Sequence, residues 1–201
     1  MNNKIYAFIQ ARFNSSRFKG KILEKIKGKT LLEILIRRLK KASKIDEIVI
    51  LTTKNQEDKK IIYICKKLNI PYFCGPENDV LKRYYLAAKK FKEKNILRVT
   101  SDCPLIDASI VDKIITKYKK SSYDYISNII SPTYPDGLDV EIFDFKSLEF
   151  SNKNAVEPQH REHVTKFILD HDKFKKYNVK FSKDYSSLRL TIDEYDDLIL
   201  L

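Results

Sequence analysis

Short apolar runs and longer amphipathic ones alternate along the first 120 residues. KIYAFIQ is followed by Leu31 to Ala42, EIVILTT by Gln56 to Leu68, PYFC by Asp79 to Lys92, and ILRVT by Ala108 to Lys120. Leu32, Leu35, Ile36 and Leu39 recur at helical spacing, as do Ile110, Val111, Ile114, Ile115 and Tyr118, so each of these helices carries one buried stripe. The short runs between them are apolar on both faces, the pattern of strands in a mostly parallel sheet covered by helices on both sides. Right-handed crossovers then make the chain an α/β sandwich of the nucleotide-binding kind.

After Tyr123 the rhythm changes. A strand (DYISN) leads through the Pro- and Tyr-rich loop SPTYPDG to a second strand (LDVEIF). A helix begins near Pro158 with Glu157 before it, LRLTI reads as a final strand, and a last helix starts around Glu194. No linker, repeat or low-complexity tract divides the chain, so one domain over residues 1–201 is expected, with residues about 123–180 built onto the sheet. All four glycines, Gly20, Gly28, Gly75 and Gly137, fall in predicted loops.

With 43% hydrophobic residues in 201, the chain can bury a core without covalent staples. Cys65, Cys74 and Cys103 are an odd number with no CxxC spacing, which points away from a disulfide framework or a zinc site and towards a reducing compartment. The start MNNKIYAFIQ has no signal-peptide run and nothing later is long enough to span a bilayer, so a cytoplasmic protein is expected. A net charge of +12 raises the question of a polyanionic partner. The lysines, however, are scattered over helices such as LLEILIRRLKKA, the mark of a solvated basic surface; neither nucleic acid nor membrane is expected as a partner.

Chemistry concentrates in three places. IQARFNSSRFKGKIL leaves the first strand with Arg12, Arg17, Lys19 and Lys21 interleaved with Ser15 and Ser16, a set that suits a polyphosphate at the carboxyl edge of an open sheet. No Walker or GxGxxG pattern is present, and a basic surface loop fits the same composition. In RVTSDCPLID, Asp102 directly follows a buried strand, and Asp193 ends LRLTID in the same way. Magnesium commonly takes one or two carboxylates plus phosphate oxygens, although an Asp after a strand is also a common turn former, and Asp107 reads as a helix cap. TYPDGLDVEIF and EPQHREHVT bring Asp136, Asp139, Glu141, Arg161, Glu162 and His163. They suit a sugar, and equally an ordinary turn and a charged helix face.

IQARFNSSRFKGKIL, SDCPLID, TYPDGLDVEIF, EPQHREHVT and LRLTIDEYDDL, in this order, resemble the cytidylyltransferase superfamily of the sialic-acid and KDO activating enzymes. The nearest branch is the one named after spore coat polysaccharide biosynthesis protein F. The resemblance implies a three-layer, Rossmann-like GT-A fold, usually dimeric. It also implies a magnesium-dependent reaction of a nucleoside triphosphate, CTP by expectation, with a sugar acid or sugar phosphate, giving NMP-sugar and pyrophosphate. By position, Gln10, Ala11, Arg12, Ser15 and Ser101 would border the nucleotide, and Arg17 and Lys21 would hold its phosphates. Asp102 and Asp193 would bind the metal, with Arg12, Arg17, Lys21 and Asp102 as the catalytic set; Tyr134, Asp139, Glu141 and Glu162 would face the sugar. The chain departs from the family pattern at Asn14, where Gly is usual and positive φ is expected, at Phe18 and Lys19, where Leu-Pro is usual, and in stopping at Leu201. Rival readings are GTP with an amino-sugar phosphate, and a non-catalytic scaffold of a polysaccharide pathway.

Overall fold

The computed structural model describes residues 4–15 and 17–200. Its elements in chain order are β1 (Tyr6–Gln10), a 3-10 turn (Lys21–Leu23), β2 (Lys25–Ile26), β3 (Lys29–Thr30), α1 (Leu31–Leu39), β4 (Glu47–Thr52), α2 (Lys59–Lys67), β5 (Tyr72–Cys74) and α3 (Val80–Phe91). There follow β6 (Asn95–Thr100), α4 (Ala108–Lys119), β7 (Tyr125–Ser127), β8 (Glu141–Asp144), α5 (Phe145–Asn154), α6 (Pro158–Glu162), α7 (Lys166–Asp170), β9 (Lys176–Asn178) and α8 (Tyr195–Ile199). Seven strands form one sheet in the order β5-β4-β1-β6-β8-β7-β9. Only β8 runs against the rest, pairing antiparallel with both β6 and β7.

The alternation of β1 separates two cores. Ala7 and Ile9 point into one with Leu32, Leu35, Ile61, Val111 and Ile114, while Phe8 points into the other with Val80, Tyr84, Leu148 and Ile168. The three-layer α/β/α sandwich expected from periodicity follows. Helix ends are capped as the residue types dictate: Thr30 and Glu33 form a capping box on α1, and Asp79, Asp107 and Asp144 accept backbone amides at the starts of α3, α4 and α5.

The sheet order reverses at β1. The chain moves from β1 to β4 and β5 on one side, then returns to place β6 on the other. The crevice at the carboxyl ends of β1 and β6 is therefore the topological switch point, where open α/β sheets take ligands.

Several elements differ from the reading of the sequence. LRLTI is not a strand: Leu188 and Leu190 bond to the backbone of Asp136, and Ile192 to that of Asp102, which are loop residues, so only an Asp136–Arg189 bridge forms. The β2–β3 hairpin, too short for a period-2 pattern, turns on Lys27 and Gly28, both at positive φ. Helix α5 has a largely polar tail that blurs its period, and β9 is a three-residue strand at the sheet edge. Among the described residues no helix is long and apolar enough to cross a membrane.

Candidate active site

A cavity of about 290 Å³ opens at the switch point. Gln10, Ala11, Arg12, Ser15, Arg17 and Lys21 reach it from β1 and the loop beyond, and Thr100, Ser101 and Asp102 from the end of β6. Glu162 and His163 come from the end of α6, and Asp193 from the strand-like C-terminal segment. Five cationic side chains line it (Arg12, Arg17, Lys21, Arg83 and Arg98) against three carboxylates (Asp102, Glu162 and Asp193), so its balance favours an anion.

The basic loop is fixed by backbone bonds. Ala11 N–H donates to the Leu51 carbonyl at 2.9 Å and Phe13 N–H to the buried carboxylate of Asp58 at 2.7 Å. Gly20 N–H closes the loop on the Phe13 carbonyl at 2.8 Å. Among the described residues of this loop the positive φ falls on Gly20, at 77°, where an added Cβ would stand 2.7 Å from the Phe13 ring. Asn14 is not among the positive-φ residues, so the substitution for the usual Gly leaves the described backbone in an ordinary region. Phe18 packs edge-on against Tyr195 at 5.9 Å, which ties the loop to α8. Ser16 lies outside the described residues.

The two aspartates of the sequence reading meet at Lys21. Its buried ammonium donates to the Ile192 carbonyl at 2.6 Å and to Asp193 at 2.9 Å, and lies 3.6 Å from Asp102. Arg17 also reaches Asp193, at 2.8 Å. Both carboxylates offer only oxygen, which is what a hard divalent ion prefers.

Tyr134, Asp139 and Glu141, expected to face the sugar, are not among the residues that line this cavity. Tyr134 is buried, with its hydroxyl accepting from Lys113 at 2.9 Å. Glu141 is buried directly opposite Arg98 in the β6–β8 register and pairs with its guanidinium, while accepting from the hydroxyls of Tyr125 and Thr165. Asp139 is half-buried; burial, with Asp136, Glu141 and Asp102 nearby, pushes its carboxyl up to about 7. Of the expected sugar contacts only Glu162 reaches the cavity.

The sequence reading missed Arg83 and Arg98. Arg83 sits in the first turn of α3 and is buried, donating to the carbonyls of Pro76 and Glu77 at 2.8 Å each. Arg98 lies inside a run otherwise read as apolar, and its only signal was a charge in the middle of a central strand. His163, left between base and structural roles, is exposed at the cavity wall. The residue after it, Val164, is buried at φ 45°, a region β-branched side chains avoid at a cost of about 1–3 kcal/mol. That turn sends Glu162 and His163 to the cavity and Thr165 to Glu141. Burial pushes the Cys65 thiol up to about 12 and that of Cys103 well above its ordinary value, so neither offers a thiolate.

Comparison with known proteins places the chain among relatives. The protein MJ1063 of Methanocaldococcus jannaschii is 40% identical over 202 residues, spanning 98% of this chain and 81% of that protein. Spore coat polysaccharide biosynthesis protein SpsF of Bacillus subtilis is 32% identical over 207 residues, 97% of this chain and 83% of the relative. The structure of a cytidylyltransferase from Leptospira borgpetersenii superposes with a TM-score of 0.93 at 35% identity, covering 97% of this chain and 83% of the other. The family model described as cytidylyltransferase matches residues 6–199, and with the cation-lined switch-point cavity in place, the chain belongs to the cytidylyltransferase family.

Proposed function

We propose that the chain is a magnesium-dependent enzyme that transfers CMP from CTP to a sugar acid or sugar phosphate and releases pyrophosphate. The observation that carries this reading is the convergence of Arg12, Arg17 and Lys21 with the Asp102 and Asp193 carboxylates at the ends of β1 and β6. Family membership supports the cytidylyl donor, and the name of the Bacillus subtilis relative supports a saccharide acceptor. The same reading places the enzyme in the cytoplasm as a homodimer formed through residues 123–180, for which sedimentation is the check.

The donor set fits magnesium, since two carboxylates that share one ammonium are the hard oxygen ligands it takes beside phosphate. Asp102 and Asp193 would hold the ion, which when bound neutralises charge on the α-phosphate and helps orient the attacking oxygen. The chain's own residues do the rest by position and charge. The end of β1, Gln10 to Arg12, borders the nucleotide. Arg17 and Lys21 bind the outer phosphates and offset the charge that builds on the departing pyrophosphate. Lys21, anchored on a backbone carbonyl, also offsets the repulsion between the two aspartates. Arg98, Glu162 and His163 line the same cavity and are the groups this reading assigns to the acceptor, Arg98 as the cation among them.

Pyrophosphate release with and without magnesium, with CTP, GTP, UTP and ATP against nonulosonic acids and hexosamine phosphates, tests the reading. Release with CTP and one acceptor, lost in Asp102→Asn with the melting curve retained, is expected. Release with GTP alone would change the donor, and nucleotide binding without release under any pairing would sink the enzyme assignment.

A further inference from the structure

Two glycines at positive φ make a contrast. Gly28, at 77°, has nothing within 4 Å of the position a Cβ would take. At Gly137, with φ 100°, the same atom would stand 2.6 Å from the Leu190 carbonyl carbon, 2.7 Å from the Thr191 nitrogen and 2.9 Å from the Leu190 oxygen. All three are backbone atoms, so no side-chain rotation relieves the contact.

The backbone around it explains the closeness. Asp136 N–H donates to the Leu188 carbonyl at 2.9 Å, and Leu190 N–H donates back to Asp136 at 2.7 Å, which presses residues 188–191 onto the Pro-Asp-Gly turn. Ile192 N–H then donates to the Asp102 carbonyl at 2.9 Å, and the next residue is Asp193, bound to Lys21 and Arg17. Residues 181–189 before this point are exposed; Phe181 and Tyr185 N–H groups bond to Thr133, and from residue 188 the segment is held by the bonds above and by the buried side chains of Thr191 and Ile192.

We infer that Gly137 is a positioning residue of the nucleotide site. Its missing side chain lets the C-terminal segment lie flush on the turn, and that contact places Asp193 beside Asp102 and Lys21. The inference rests on the reading of Asp193 as a residue of the nucleotide site.

Gly137→Ala, Gly28→Ala and Asp193→Asn are compared with wild type by amide hydrogen exchange and by calorimetry with CTP and magnesium chloride. In Gly137→Ala the amides of Leu190 and Ile192 should exchange at least about tenfold faster, with β1 and β6 unchanged. CTP affinity should fall about tenfold or more, towards that of Asp193→Asn. Gly28→Ala carries the same backbone conformation in open space and should change neither. Unchanged exchange, faster exchange with wild-type CTP affinity, or an equal effect from Gly28→Ala overturns the inference. Asp193→Asn binding CTP as wild type does would show instead that the underlying assignment of Asp193 is wrong, and the inference would fall with it. Should Gly137→Ala not fold, Leu190→Pro, which removes the N–H bonded to Asp136 and leaves Gly137 intact, is read by exchange of the Ile192 amide and by CTP affinity, with the same outcomes for each.

Discussion

Glu141→Gln should destabilise the fold far more than its small chemical change suggests. Glu141 is 3% exposed, and its oxygens receive Arg98, Tyr125 and Thr165, so both oxygens are engaged inside the sheet. The amide is isosteric but leaves the Arg98 guanidinium buried without its counter-charge, and breaking a buried pair in this way costs about 3–5 kcal/mol. At about 2–4 °C of melting temperature per kcal/mol for a chain of this size, the transition should fall by about 6–20 °C. Thermal and urea unfolding followed by circular dichroism reads this directly. The double variant Arg98→Met/Glu141→Met removes both charges and should recover part of the loss, because a hydrophobic pair of similar volume is commonly as stable as a buried ion pair, while the Tyr125 and Thr165 hydroxyls still lose their acceptor. It should nevertheless lose turnover, since Arg98 lines the cavity. A single variant melting within about 2 °C of wild type, or a double variant no better than the single, would refute the buried-pair reasoning.

Asp139 gives a pH signature. Its folded pKa of about 7 lies above the ordinary unfolded value, so the folded state binds the proton more tightly and stability from this group falls as pH rises from about 4 to 7. Urea midpoints in EDTA should drop over that window by less in Asp139→Asn than in wild type; parallel pH profiles would contradict the assignment. Thr30→Ala removes the acceptor of Glu33 N–H, 3.2 Å away, and should cost about 1 kcal/mol, with Thr30→Ser close to neutral in the same melts. Lys21→Met leaves Asp102 and Asp193 without their shared cation and should cost about 1–3 kcal/mol, discounted for the exposure of Asp102. Magnesium chloride should then raise the melting temperature of that variant more than that of wild type, and an equal rise would argue against the pair as a metal site.

What the sequence determined by itself was whatever follows from local periodicity and chain order. The stripes of α1 and α4 and the doubly apolar strands required helices on both faces of a sheet. Strand ends carrying Gln10 to Arg12 and Ser101-Asp102 marked the edge where a ligand binds, because a residue's place after a strand is a one-dimensional property. Only the tertiary structure decided which distant residues share a face. Glu141 reads as an acid beside a turn, yet a cross-strand register with Arg98 makes it the buried partner of a cavity-lining cation. LRLTI has the composition of a strand, but its hydrogen-bonding groups find Asp136 and Asp102 before they find a sheet edge. Lys21 and Asp193 are 172 residues apart, and the bond between them exists because the C-terminal segment folds back over β6 and rests on Gly137. Such pairings depend on register and on which backbones can approach closely, and neither is encoded in the spacing of residue types along the chain.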